Sequence, residues 1–318
     1  MGLRLRVRRQ AWMQSVQAQA ALRPGLIPVV KGNGYGFGRR TLMPIAAELA
    51  TQVAVGTVYE AGDVPSNRSA MVLTPHLDAL PADLAPTASL TVGAVEHVQA
   101  LVDQGWRGDV VLKLQSSMHR YGVTPGELGV LASTVDAAGC TPIAYALHLP
   151  LSGTAQAHAD EVEAWLTSLD PALPVVLSHL DTDTYLQITR RHPERTLRIR
   201  CGTALWHADR SLMQLTADVL DVHAVKAGQT AGYRDTSITA DGWVVLVAAG
   251  SAHGVGPLDD GRSPFHFARQ RLLLLEPVHM HTAMLFVPAE QVCPRIGDRV
   301  DVQRPLILTH VDELDWVR

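Results

Sequence analysis

The sequence predicts an α/β fold: a (β/α)8 barrel over residues 9–212, followed by a mainly β domain over residues 213–318 that also takes in the first strand, residues 1–8. Three observations predict it. Eight short apolar runs alternate with helix-like stretches over about 200 residues, the count and rhythm of such a barrel. The runs end in polar side chains, Lys31, Thr57, Thr74, Lys113, His148, His179 and Arg200, and barrels carry their chemistry at the C-terminal ends of their strands. From about Thr216 no long helix is legible, and strand-like segments separated by glycine turns take over. A doubly wound open sheet would use a similar alternation, and the accumulation of polar strand ends favours the barrel.

In chain order, Leu3, Leu5 and Val7 alternate with Arg4, Arg6 and Arg8, a strand with one wet face. Residues 10–22 place Trp12, Val16 and Ala20 at helical spacing and stop at Arg23-Pro24-Gly25. The run Leu26-Ile27-Pro28-Val29-Val30 reads as a buried strand and ends abruptly in Lys31. Further apolar runs follow at 52–57, 70–74, 89–92, 109–114, 142–148, 174–178 and 197–200. Helix-like stretches at 42–51, 94–104, 127–138, 157–169 and 183–191 separate most of them. Beyond them, strand-like segments at 219–225, 243–249, 271–275, 283–287 and 299–302 are joined by turns at 226–229, 240–242 and 295–298.

Composition narrows the function. The chain has 318 residues, formal charge −4 and 47% hydrophobic residues, enough to bury one large core or two ordinary ones. Charge that is low and mixed gives no reason to expect a nucleic-acid partner. No apolar run approaches the roughly eighteen residues that span a bilayer. The basic start lacks a following apolar segment, which argues against a secretory signal. Arg6 stands where a myristoylation signal prefers a hydroxyl. Cys140, Cys201 and Cys293 are widely spaced and odd in number, so they read as reduced thiols of a cytoplasmic protein. His279 and His281 alternate along a strand, but two ligands are too few for a metal site, and none is expected.

Lys31 is where chemistry concentrates. Glycines at 32, 34, 36 and 38 follow it; glycine admits positive φ and lets backbone N–H groups approach an anion closely. No Gly-Lys-Ser/Thr follows, and the glycines are spaced two throughout, so neither the nucleoside triphosphate loop nor the dinucleotide fingerprint is present. A flexible loop with a solvated lysine is one reading. The other is a lysine that forms a Schiff base with pyridoxal 5′-phosphate, because an amine at the inner end of an apolar strand is costly without a partner or a task.

The stretch Val30-Lys31-Gly32-Asn33-Gly34-Tyr35-Gly36-Phe37-Gly38 resembles the cofactor-lysine motif Val-Lys-Ala-Asn-Ala-Tyr-Gly-His-Gly of alanine racemases. The resemblance implies a Schiff-base role for Lys31 and a phosphate contact from Tyr35. Arg198-Ile199-Arg200-Cys201-Gly202-Thr203 is similar to the family's Val-Arg-Pro-Gly-Ile segment, which implies that Arg200 faces the pyridine nitrogen and that Gly202 and Thr203 offer N–H groups to the phosphate. A permanently charged arginine there keeps that nitrogen unprotonated and weakens the electron sink, which suits quick removal and return of a proton. Residues 112–122 resemble the family's Lys-Val-Asp-Thr-Gly-Met-x-Arg-Leu-Gly and carry over Arg120 near the substrate carboxylate, with Lys113 beside it; Gln115-Ser116-Ser117 replaces Asp-Thr-Gly.

His148 falls where the family's ring-stacking histidine stands, and the phosphate-binding Asn-Ser pair falls near Thr182 and Thr184. Gly228-Gln229-Thr230-Ala231-Gly232-Tyr233-Arg234 resembles Gly-Glu-x-Val-Ser-Tyr-Gly, which implies that Tyr233 is the catalytic tyrosine. In the family this residue serves the other subunit, so a homodimer is implied. Departures gather in this half. Gly250-Ser251-Ala252-His253-Gly254 lacks the tyrosine of Gly-Tyr-Ala-Asp-Gly, and His279-Met280-His281-Thr282 keeps only Met280 of Cys-Met-Asp-Gln. Arg318 ends the sequence short of the family's last phosphate-contacting tyrosine.

The expected activity is therefore interconversion of L- and D-alanine, a cell-wall precursor, by Lys31 and Tyr233 of the partner subunit. Another enzyme on this barrel, such as a decarboxylase or dehydratase, is one alternative, against which Arg200 counts. A racemase homologue with another amino-acid substrate, or a cofactor-binding protein without turnover, is the other.

Overall fold

The computed structural model describes residues 2–318, and the chain divides into two compact units. One comprises 16–32 and 39–208; the other comprises residues up to 15, 33–38 and 209–318. The division falls inside the glycine loop, between Gly32 and Asn33.

The first unit holds eight parallel strands among the described residues: β2 (Leu26–Pro28), β3 (Gln52–Val55), β4 (Ser69–Val72), β5 (Ser89–Val92), β6 (Asp109–Leu114), β7 (Thr141–Leu147), β8 (Val175–Ser178) and β9 (Leu197–Cys201). They follow one another in the order β2-β9-β8-β7-β6-β5-β4-β3. The ring is closed by the chain just beyond β2: Val29 bridges Ala54, and the Val30 N–H donates to the Ala54 carbonyl at 2.8 Å. This is the barrel the sequence predicts. Its strands read as continuous apolar runs because both faces are covered; β3, β5 and β8 are buried at every position. Buried Thr91 is satisfied within the sheet, its hydroxyl donating to the Val72 carbonyl at 2.6 Å.

The helices α2 (Arg39–Leu49), α3 (Val95–Asp103), α4 (Pro125–Ala137), α5 (Ala155–Leu166) and α6 (Thr182–Arg191) follow β2, β5, β6, β7 and β8. Their starts are written in the sequence. Thr124 precedes Pro125, and Glu127 reaches back to accept the Thr124 N–H at 2.8 Å. Thr154 and Asp181 cap α5 and α6 by accepting the N–H groups of Ala157 and Thr184. Two barrel units have no α-helix. A single 3₁₀ stretch, Val58–Asp63, follows β3, and irregular chain joins β4 to β5; Pro75, Pro81 and Pro86 interrupt that segment, and proline removes a helical donor and clashes with the preceding turn.

The second unit is a sheet of nine strands among its described residues. Its spine is β10 (Met213–Val225), flanked by β13 (Gly242–Val247) and β17 (Ala283–Pro288) on one side and by β18 (Arg299–Val302) on the other. The hairpin β11 (Thr230–Ala231) and β12 (Thr236–Ser237) stands apart. Short strands β14 (Phe265–Phe267), β15 (Gln270–Arg271) and β16 (Leu273–Leu274) finish the edges. The first strand, β1 (Leu3–Arg8), runs antiparallel to β10 and parallel to β19 (Glu313–Val317), a strand that the sequence reading did not find. Between β1 and β2 lies α1 (Arg9–Ala21), in which the boundary between the units falls after Ser15. Trp12, Phe37 and Trp316 pack ring against ring within this unit, with centroids 4.8 to 6.2 Å apart.

Candidate active site

Lys31 stands on a stretch of backbone stitched down from both sides. The Val29 N–H donates to the Cys201 carbonyl and the Val30 N–H to that of Ala54, both at 2.8 Å. The Trp206 indole N–H donates to the Val29 carbonyl at 2.7 Å. Just past the lysine, the Gly32 N–H donates to Glu60 Oε1 at 2.9 Å, while the Gly32 carbonyl accepts from Arg39 at 2.9 Å. Glu60 Oε2 takes the Gly56 N–H at 2.6 Å, so one carboxylate ties the lysine loop to the end of β3. Glycine at 56 leaves room for this close approach: a Cβ there would meet Glu60 Oε2 at 2.8 Å and the Lys31 Cβ at 3.3 Å. Lys31 itself is exposed, at the mouth of the barrel and not within it. Surrounding protein atoms, then Arg200 and Arg120, nevertheless press its amine below the ordinary lysine value, against the opposing pull of Glu60.

The other cations converge on the same end of the barrel. Lys113, only 4% exposed, donates to the carbonyls of Leu114 and Ala146 at 3.1 Å each. Burial first, then Arg200 and Arg120, hold its amine well below the usual range. Arg120 is exposed on the 115–122 segment, its guanidinium 4.7 Å from the Tyr121 ring centroid. That segment leaves and rejoins β6: the Gln115 N–H donates to the Val123 carbonyl and the Val123 N–H to that of Lys113. In place of the family's Asp-Thr-Gly, Ser117 gives both its N–H and its hydroxyl to Glu161, at 2.6 and 2.7 Å. Arg200 and Arg120 thus add to burial in lowering the proton affinity of both Lys31 and Lys113, with Glu60 and Glu161 as the carboxylates felt by the two amines. Like charges gathered in a partly buried mouth are costly until an anion joins them. A phosphorylated aldehyde and a carboxylate substrate would supply such an anion, and the Lys31 amine, its proton affinity lowered, could serve as a nucleophile toward the aldehyde. The residues present fit pyridoxal phosphate.

A polar chain links three strand ends. Arg200, 7% exposed on β9, donates to the Ser178 hydroxyl at 3.3 Å. Ser178 Oγ lies 2.5 Å from His148 Nδ1 and 3.5 Å from the Leu147 carbonyl. The shorter contact directs the hydroxyl proton to Nδ1, which leaves the single ring proton of neutral His148 on Nε2. Neutral it is: burial, Arg200, His179, Arg120 and Lys113 together push His148 down from 6.5 to about 2. The His179 ring lies 4.4 Å away, and its Nδ1 faces the Leu149 carbonyl at 2.8 Å. His179, too, is held below its ordinary value, chiefly by burial.

Beyond β9, Gly202 caps the one-turn helix α7 (Thr203–Trp206), its carbonyl accepting from Leu205 and Trp206. The first N–H groups of a helix have no intrahelical acceptor, and Thr203 is exposed there. At the start of α6, Thr184 commits both its N–H and its hydroxyl to Asp181, at 2.8 and 2.7 Å. Of the two threonines left open by the sequence, only Thr182 keeps its hydroxyl outside that cap.

In the other unit, Tyr35 is buried within the 3₁₀ turn Gly34–Gly36 at φ 57°, a left-handed conformation that costs a non-glycine residue of order 1 kcal/mol or more. The Asn33 amide pins this loop by donating to the carbonyls of Leu306 and Thr309, both at 2.7 Å. Tyr233 is 86% exposed and Met280 67% exposed. The Tyr233 ring lies 4.4 Å from that of His279, and its N–H donates to Glu276. Sequence reasoning missed Glu60, Ser178 and Glu276. None belongs to a quoted motif, and each acts only after the fold has brought distant backbone to it. His279 was read for metal alone.

Comparison with known proteins gives a consistent answer. Residues 10–209 match the family described as alanine racemase, N-terminal domain. An alanine racemase from Alcanivorax borkumensis is 24% identical over 247 residues, 71% of this chain and 69% of that protein. The alanine racemase from Bartonella henselae, solved with covalently bound pyridoxal phosphate, superposes with a TM-score of 0.73 at 16% identity and full coverage of both chains. The biosynthetic alanine racemase from Pseudomonas aeruginosa gives 0.73 at 19% identity, covering 100% of this chain and 99% of its own.

Proposed function

We infer what this chain does from the premise that it belongs to the alanine racemase family: it is a pyridoxal-phosphate-dependent amino-acid racemase that interconverts L- and D-alanine. The observation that carries the reading is the Lys31 amine, fixed by its backbone and made less basic than an ordinary lysine by burial, then by Arg200 and Arg120. A base works best when its pKa lies near the operating pH, and a free amine is also what an aldehyde requires.

Pyridoxal phosphate, bound through Lys31, supplies the electron sink that makes the α-hydrogen of the amino acid removable. This chain's residues do the rest. Lys31 gives and takes the proton on one face of the α-carbon, and Tyr233 of the partner subunit on the other; the L face falls to tyrosine by family resemblance. Arg120 holds the substrate carboxylate, and Met280 of the partner subunit borders the substrate. Arg200, with no proton to release, keeps the ring nitrogen unprotonated, while neutral His148 lies against the ring without adding charge. Gly202 and Thr203, at the start of the one-turn helix, would hold the phosphate, a role that the family resemblance also gives to Tyr35. The exposure of Tyr233 on its own chain supports a homodimer in which each copy completes the other's site. No described helix is long and apolar enough to cross a membrane, and we place the enzyme in the cytoplasm, making D-alanine for the cell wall.

The test is to incubate the pure protein with pyridoxal phosphate and single L-amino acids and to separate the enantiomers by chiral chromatography. L-Alanine should yield D-alanine. Tyr233→Phe should keep the absorbance of bound cofactor and lose at least about a hundredfold in racemisation, the scale of one acid–base group. Unchanged racemisation in that variant would remove Tyr233 from the mechanism.

A further inference from the structure

Tyr233 is an exposed side chain with a demanding task, and the structure surrounds its base with an arrangement that no motif predicts. The Glu276 side chain is 2% exposed, and three donors converge on its carboxylate. Oε1 accepts the Tyr233 N–H at 3.1 Å and lies 2.7 Å from His279 Nε2; Oε2 accepts the Arg234 N–H at 3.2 Å. Burial pushes this carboxyl up, but the histidine and the two backbone N–H groups outweigh it and hold it below the usual range. Glu276 is therefore ionised at neutral pH and fixes a proton on His279 Nε2. The far side of the imidazole is held too, with Nδ1 3.3 Å from the Thr282 hydroxyl. The ring clamped in this way is the one that meets the Tyr233 ring, at 4.4 Å and 38°.

Gly232 makes the approach feasible. It sits at φ +84°, and a Cβ there would fall 2.4 Å from the Glu276 carboxylate. The same carboxylate thus sets the backbone that carries Tyr233 and the imidazole that its ring rests on.

We propose that Glu276 and His279 are the positioning residues of the catalytic tyrosine, holding the Tyr233 ring in one orientation before a second subunit or substrate arrives. An exposed tyrosine without such support would divide itself among several χ1 wells, and displacement of a reacting group by about 1 Å costs on the order of a hundredfold in rate. The proposal rests on the racemase reading for its kinetic consequence and on the geometry alone for its structural one.

The experiment uses Glu276→Gln and His279→Phe, the second of which keeps an aromatic partner for Tyr233 but loses the Nε2–H. In the cofactor-loaded proteins, kcat for racemisation of alanine should fall at least about tenfold with KM within about twofold. Deuterium wash-in at the α-carbon of D-alanine, which needs only Lys31, should stay within about twofold of the parent. In the cofactor-free proteins, with ring-¹³C tyrosine, the Tyr233 signal (identified by its absence in Tyr233→Phe) should shift or broaden while the other tyrosines hold still. Racemisation at parental kcat, wash-in falling in step with racemisation, or an unmoved Tyr233 signal would each overturn the proposal. If the parent neither racemises alanine nor exchanges its α-hydrogen, the racemase reading fails, and the cofactor-free spectra still decide whether the pair orients Tyr233.

Discussion

Acidification should destabilise this protein through His148 in particular. The side chain is held neutral between Ser178 and His179, and burial followed by Arg200, His179, Arg120 and Lys113 brings it from 6.5 to about 2. The unfolded chain takes up a proton near 6.5 that the folded chain refuses until about 2, so stability is full above 6.5 and is lost as the pH falls through that window. At pH 4.5 the folded form has forgone two pH units of protonation, about 2.7 kcal/mol at 1.36 kcal/mol per unit, an upper value because solvent at the barrel mouth screens part of it. The size does not depend on the folded value, provided that it lies below 4.5. Denaturant unfolding of the cofactor-free protein at pH 6.5 and 4.5, parent against His148→Gln, isolates the effect. His97, His179 and His266, all lowered mainly by burial, contribute to both proteins and cancel in the difference to the extent that His179 is not itself relieved. The parent should lose about 2 kcal/mol more than the variant over this interval. A difference under about 0.7 kcal/mol, or a His148 ring proton signal that titrates above pH 5, would refute the electrostatic picture of the site.

Two further outcomes follow from single side chains. Glu60→Gln presents an amide to two N–H donors, those of Gly32 and Gly56, and can satisfy one. With the exposed Gly32 N–H turned to water and Gly56 kept, the loss should be about 0.5–1.5 kcal/mol in thermal unfolding; removal of the negative charge should also move the pH midpoint of cofactor capture by Lys31 downward, and a midpoint that rises would contradict the assignment. Lys113→Met removes an amine that burial and two guanidiniums make costly to charge. It should stabilise the fold by about 1–4 kcal/mol at pH 7, with the gain shrinking toward pH 10, as unfolding measured at the two pH values will show.

Much of this fold is legible because its code is local. A parallel strand covered on both faces is a short apolar run, and β5 and β6 coincide with the runs at 89–92 and 109–114. Helix starts such as Thr124-Pro125 declare themselves through their caps. What escapes is non-local. Strand β19 exists because its backbone pairs with β1, about 300 residues earlier. The missing helix after β4 reflects what the Pro-interrupted chain cannot form, and a 3₁₀ stretch stands in for the one after β3, although the strand rhythm continues across both. The candidate site divides in the same way. Lys31, Arg120, His148 and Arg200 are legible as polar ends of apolar runs or by motif, and the fold brings their charges to one end of the barrel. Glu60 ties down the Lys31 loop, Ser178 joins Arg200 to His148, and Glu276 and His279 meet the Tyr233 segment, all through groups far away in sequence, a relation that no spacing encodes.

The central claim, that Lys31 is the amine that receives the cofactor aldehyde, is tested by borohydride reduction of the protein loaded with pyridoxal phosphate, followed by digestion and mass mapping. The chain has three lysines, Lys31, Lys113 and Lys226, one at the barrel mouth, one 4% exposed within β6, and one on the surface paired with Asp241 at 2.8 Å. The pyridoxyl group should appear on the peptide carrying Lys31, at one equivalent per chain. Its appearance on Lys113 or Lys226 instead, or on no lysine at all, would contradict the account.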